Sequence, residues 1–196
     1  MLFVVIAYVA LMRPGEVCKL TIGDTLYGDS LCPVAGTVCL IIKEPKTKHS
    51  YGRRQNVTVT EPLLLSLLVR RIDSLRARLP RSYPCQSLPL FSKSISYFER
   101  GFKMIVAHLG VSAPLTLGSL RAGGATTLSL PPCSGVVSLD ELRRRGRWMC
   151  VRTMEIYLQE LASTHILASL HDSVLGRLRA FSDVFEAAII YFLSSS

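Results

Sequence analysis

Four stretches of the chain carry groups suited to binding or attacking a phosphodiester. Arg13 stands in LMRPGEVCKL, with Glu16 three residues later. Lys43, Lys46 and Lys48 crowd a basic segment between two β-rich runs. Arg121 stands in GSLRAGGATTL, and RRRGRWMCVRTMEIYLQE sets Trp148 nine residues before Tyr157. A guanidinium presents a planar fork of donors that matches two phosphate oxygens at once, whereas a lysine is a point charge. A tyrosine hydroxyl can attack and form a covalent intermediate, and an indole N–H can donate to a phosphate oxygen. Taken singly, each residue has a plainer reading. Arg13 reads as a helix-end arginine, Lys46 as one of several lysines in a solvated turn, Tyr157 as a half-buried helix residue, and Arg143 to Arg147 as a solvated face. Trp148 reads equally well as core. Arg121 has the better individual case, because Gly123 and Gly124 behind it permit a ligand or another helix to come close.

The elements that must position these groups are mostly helical. Residues 2–12 read as a buried helix, and Pro14 suits the first turn of a second helix reaching about Leu20. Thr37 to Lys43 and Arg53 to Val59 read as a hairpin whose long charged turn spans Glu44 to Gly52. Helical periodicity returns over 62–79 and over Ser94 to Leu109, with Gly110 as the cap. Between them Pro80, Pro84 and Pro89 make a loop. Leu120 to Leu130 reads as a helix ended by Pro131-Pro132. Ser138 to Arg145 reads as a short helix with Ser138 as N-cap and Glu141 at the capping-box position. Residues 151–168 and 173–193 read as helices. The expected class is mostly α with a small antiparallel β-sheet.

Composition narrows the function further. The chain has 196 residues, is 49% hydrophobic and carries a net charge of +9. That length supports one domain with a real core, spanning 1–196. The basic excess points to a polyanionic partner, nucleic acid first and an anionic membrane surface second. The six cysteines lack C-x-x-C spacing and a nearby histidine pair, which argues against structural zinc; they read as reduced and mostly core. The apolar start, Met1 to Met12, lacks the basic flank of a signal peptide and is too short to span a bilayer. The apolar tail, Val184 to Leu193, is also too short. A nuclear or cytoplasmic protein is expected over a secreted or membrane one.

Together the motifs resemble the tyrosine recombinases of the phage-integrase type, over nearly the whole chain. The family's first arginine motif resembles Arg13 with Glu16. Its hairpin lysine is best matched by Lys46 of Pro45-Lys46-Thr47, with Lys48 next. Its H-x-x-R box resembles Gly118-Ser119-Leu120-Arg121. Its closing step resembles Gly146-Arg147-Trp148 followed by Tyr157. The resemblance implies the recombinase catalytic-domain fold and cleavage and rejoining of double-stranded DNA through a 3′-phosphotyrosyl link. It makes Tyr157 the nucleophile, Arg13 and Arg121 the phosphate clamps, Lys46 the general acid and Trp148 an N–H donor. It implies no metal and no cofactor, and a complex with other recombinase protomers.

The chain departs from that pattern in two places. Gly118 stands where the family has a histidine that assists acid–base chemistry, so catalysis is expected to be slowed. The chain starts within one helix of Arg13, where the family usually has an N-terminal helical DNA-clamp domain, and without that domain weaker DNA binding is expected, since fewer phosphates would be neutralised. A non-catalytic DNA-binding remnant of a mobile element and a type IB topoisomerase-like enzyme are the rival expectations. None of the four histidines (His49, His108, His165, His171) matches a family catalytic position, and the stretch from Leu130 to Val137 reads as an insertion near the site.

Overall fold

A computed structural model describes residues 1–27, 36–45, 55–80, 84–130, 138–158 and 166–194. Helix α1 (Leu2–Val9) buries Phe3, Val5, Ile6 and Ala7 and stops three residues short of the expected end. Leu11 takes a positive φ of 49°, and Arg13 is extended at φ −67° and ψ 143°. The steric demand of Pro14 on the residue before it disfavours helix there. Pro14 then opens α2 (Pro14–Cys18), with its ring at a position that needs no N–H partner.

Three strands follow: β1 (Thr25–Tyr27), β2 (Val38–Ile42) and β3 (Gln55–Val59), in an antiparallel sheet of order β1-β2-β3. The expected hairpin pairing holds, in a register running from Val38 opposite Val59 to Ile42 opposite Gln55. Alternation decides which face is buried: Val38, Leu40, Ile42, Val57 and Val59 point to the core. Much of the turn, with Lys46, Lys48 and His49, lies outside the described residues. Strand β1 had no sequence signature, because three residues are too few to show alternation.

Helix α3 (Pro62–Arg76) packs Leu64, Leu68 and Ile72 against α1 and the sheet. A short 3-10 turn (Cys85–Ser87) lies in the proline-rich loop. Helix α4 (Ile95–Leu109) ends at Gly110, whose φ of 75° is the left-handed cap that glycine supplies without steric cost. Helix α5 (Leu117–Ser129) starts a turn earlier than expected, since Thr116 caps it and its N–H donates to Ser119 Oγ at 3.0 Å. Pro131, Pro132 and the rest of the expected insertion through Val137 lie outside the described residues.

Helix α6 (Leu139–Gly146) begins as expected, with Ser138 Oγ accepting from the Glu141 N–H. Helix α7 (Val151–Glu155) ends earlier than the expected run 151–168, which is interrupted at 156–158, while residues 166–168 are helical as expected. The chain leaves the helix after Glu155 because the Tyr157 ring turns into a small second core of Leu11, Ala125, Leu142, Trp148 and Met154. The Tyr157 carbonyl, freed from helix pairing, accepts from Thr126 Oγ1 at 3.4 Å. Residues 159–165, His165 included, lie outside the described residues. The last helix, α8 (Asp172–Ser194), is tied to α4 by Arg177 Nε donating to the Leu109 carbonyl. Among the described residues no helix is long and apolar enough to cross a membrane.

Candidate active site

Helix α5 delivers Arg121 into the second core at 2% exposure. Its Nη2 donates to the Gly146 carbonyl at the end of α6. Its guanidinium carbon lies 4.7 Å from the centre of the Trp148 ring and 5.6 Å from that of Tyr157. The two rings are 5.3 Å apart and tilted by 47°. Aromatic faces attract a cation, so the rings offset part of what burying the charge costs. Arg121 Nε and Nη1 are nonetheless buried without a hydrogen-bond partner among the described residues. Burial first, then repulsion from Arg13 and Arg147, pushes the Arg121 pKa down to about 9, against the pull of Glu16 and Tyr157. The group stays charged at neutral pH.

Helix α2 holds the second cation. Arg13 is its N-cap, and Glu16 sits at the third helical position, where a carboxylate can reach back. Glu16 Oε2 accepts the Arg13 backbone N–H at 2.9 Å, and Oε1 accepts Arg13 Nη1 at 2.9 Å. Glu16 therefore both caps the helix and orients a basic neighbour. It also receives Arg147 Nη2 on Oε2 at 2.6 Å. Burial opposes the charge on Glu16, but the guanidiniums of Arg147 and Arg13 and the Arg13 N–H outweigh it and hold the carboxyl below its ordinary value.

The arginine run is a solvated face only in part: Arg144 is exposed, Arg143 and Arg145 are half-buried, and Arg147 is buried. Arg143 and Arg144 both pair with Asp140. Arg145 Nη2 reaches back to the Val9 carbonyl at 2.9 Å, and Arg147 is buried at the Glu16 carboxylate. Gly146 is required by the same packing. A Cβ there would overlap the Trp148 ring, just as one on Gly124 would overlap the Tyr8 carbonyl where α5 crosses α1. Gly146→Ala is therefore expected to destabilise the domain by about 1–3 kcal/mol through overpacking, read as a lower urea midpoint. An unchanged midpoint would mean that the indole has room to move.

Beside Arg13 opens a cleft of about 500 Å³, lined also by Lys19, Asp24, Lys43 and Glu44. Lys43 follows β2 and pairs with the buried Asp24 at 2.8 Å. Arg13, at 25% side-chain exposure, stands between this open cleft and the buried cluster. Arg13, Arg121, Trp148 and Tyr157 thus come together, while Lys46 lies outside the described residues. Cys18, Cys39, Cys85 and Cys150 are free thiols; Cys18 and Cys85 pack half-buried against the main core, whereas Cys150 is exposed and departs from the expectation of core cysteines.

No family model and no curated protein matches the sequence. Solved structures do match. XerH site-specific recombinase bound to difH substrate, in a pre-cleavage complex, aligns at TM-score 0.58 and 20% identity, over 83% of this chain and 44% of that one. The post-cleavage complex of XerH with palindromic difH aligns at TM-score 0.58 and 19% identity. XerA recombinase aligns at TM-score 0.53 and 18% identity, over 91% of this chain and 55% of that one. The fold is that of a tyrosine recombinase catalytic domain. The chain spans about half the length of these recombinases or less.

Within the recombinase fold, Gly118 occupies the exposed first turn of α5, one turn before Arg121. A Cβ there would meet only Thr116 Oγ1, at 3.3 Å, so the position has room for a side chain that it lacks. Sequence reading missed the roles of Arg147 and Asp24. Arg147 was hidden in an arginine run whose members look alike until the helix end separates them. Asp24 gave no signal, because its partner Lys43, just past the end of β2, is nineteen residues away and meets it only in the folded chain.

Proposed function

We propose that this domain cleaves and rejoins DNA through a phosphotyrosyl intermediate on Tyr157. The observation that carries the proposal is Arg121: a buried guanidinium with two unpartnered donor atoms, set against the Tyr157 ring and within electrostatic reach of Arg13. Non-bridging oxygens of a scissile phosphate would take the free donors of Arg121 and those of Arg13. The Tyr157 oxygen, its phenol proton passing to water, would attack phosphorus as the bond to the 5′ oxygen breaks, with Lys46 as the proposed general acid that protonates that oxygen. Attack by the 5′ hydroxyl on the phosphotyrosine reverses the step and restores the strand. Trp148 carries Arg121 on its ring and is the proposed N–H donor to the phosphate. The partners are duplex DNA and further protomers, in keeping with solved recombinases of this fold that are bound to their DNA substrates.

Gly118 favours a second reading, a DNA-binding domain with little turnover, because no side chain there can take the phenol proton. The two readings separate on a nicked DNA substrate that traps the covalent adduct, followed by denaturing electrophoresis. Under the first reading the wild type forms adduct slowly, and Gly118→His speeds it by at least about tenfold, part of the roughly 10²–10⁴ that a positioned acid–base group supplies. No adduct from either protein, with DNA still bound, establishes the second reading.

A further inference from the structure

Arg147 closes α6 at φ 56° and ψ 42°, a left-handed conformation that glycine adopts at helix ends without strain. Its side chain is buried, 6% exposed for the whole residue, and its Nε and Nη1 have no hydrogen-bond partner among the described residues. Ending a helix requires neither the strain nor the buried charge. The guanidinium must be held there for what it does, and its one described partner is Glu16.

Glu16 has two oxygens to offer. Arg147 takes Oε2, together with the Arg13 backbone N–H, so Glu16 meets the Arg13 guanidinium only through Oε1 and Nη1. A two-oxygen fork, the strongest arrangement open to that pair, is not formed. Arg13 keeps its other donors beside the open cleft that it lines. Among the described residues, three guanidiniums (Arg13, Arg121 and Arg147) and one carboxylate act on one another here, leaving two of these positive charges uncompensated. A phosphodiester carries one negative charge, and the five-coordinate species formed by attack at phosphorus carries two.

We infer that Arg147 sets the charge of this site: by engaging Glu16 it keeps Arg13 available and matches the cluster to a doubly charged phosphoryl group over a singly charged one. Arg147 is a positioning residue that acts through Glu16. The inference rests on the phosphoryl-transfer reading and adds to it the charge state the site prefers.

The test measures binding of sulfate, a dianion, and of dimethyl phosphate, a monoanion, by calorimetry at constant ionic strength. The wild type should prefer sulfate. Arg147→Gly, which suits the left-handed backbone, should weaken sulfate by about tenfold and dimethyl phosphate by only about threefold, since the lost charge acts in proportion to the charge on the anion. Arg147→Gln, which keeps a donor for Glu16 without the charge, should give the same contrast and serves if the glycine variant does not fold. A purely structural role would weaken both anions alike, and that outcome overturns the inference. So does a wild type that binds neither anion, or binds both equally. The nicked-DNA trap keeps the two claims apart. A sulfate preference lost on substitution, without any adduct, leaves the charge assignment standing and removes strand cleavage. Adduct formation without that preference removes the charge assignment alone.

Discussion

Tyr157→Phe is expected to abolish covalent attachment to DNA, a loss beyond about 10⁴-fold as for removal of other nucleophiles, while DNA affinity stays within about twofold. The substitution deletes one oxygen and keeps the ring. The ring is what Arg121 and Trp148 touch, at 5.6 Å and 5.3 Å between centres, so the small second core survives. Electrophoretic mobility shift reads the affinity and denaturing electrophoresis reads the adduct. An adduct that persists in the phenylalanine variant would move the nucleophile to another residue.

Glu16→Gln is expected to cost about 3–5 kcal/mol of folding stability, the usual penalty for removing one member of a buried ion pair. That is a large share of the roughly 5–15 kcal/mol that holds a domain together. Glutamine can still accept from the Arg13 N–H, so the helix start keeps a cap. It cannot balance Arg147, which is buried and pairs with Glu16 Oε2 at 2.6 Å. The pH dependence follows from the same contacts. Glu16 is held below its ordinary value of 4.5, so its contribution is complete above that pH and is lost as pH falls through the lower folded value. Urea midpoints of the wild type should therefore drop below about pH 4.5, and those of the glutamine variant should change less over the same window. Parallel profiles, or a cost under about 1 kcal/mol, would show that solvent already screens the pair.

The helices and the β2–β3 hairpin were legible because their periodicities are long enough to read. Residues 95–109 repeat over four turns and end on a glycine, and β2 and β3 lie in β-rich runs either side of a charged turn. What the sequence hid was set by tertiary contact. Helix α7 looked continuous with the segment beyond Tyr157, yet the helix stops at Glu155 and the Tyr157 ring packs against the cluster of Trp148 and Met154. Helix α1 looked as though it reached Met12, but Pro14 fixes Arg13 in an extended conformation that lets its N–H meet Glu16. The order of Arg13, Arg121, Trp148 and Tyr157 was visible, and so was the family it resembles. The buried carboxylate that binds two of the arginines, and the two glycines that make room for Tyr8 and Trp148, became visible only in three dimensions.

The central claim is that Tyr157 attacks a phosphodiester held by Arg13 and Arg121. The most direct test is to digest the protein after reaction with nicked DNA and to locate the nucleotide-bearing peptide by mass spectrometry. The expected result is a phosphonucleotide on Tyr157, absent when Arg121 is replaced by Ala. A nucleotide attached elsewhere, or DNA bound firmly with no modified peptide in either the wild type or Gly118→His, would contradict it.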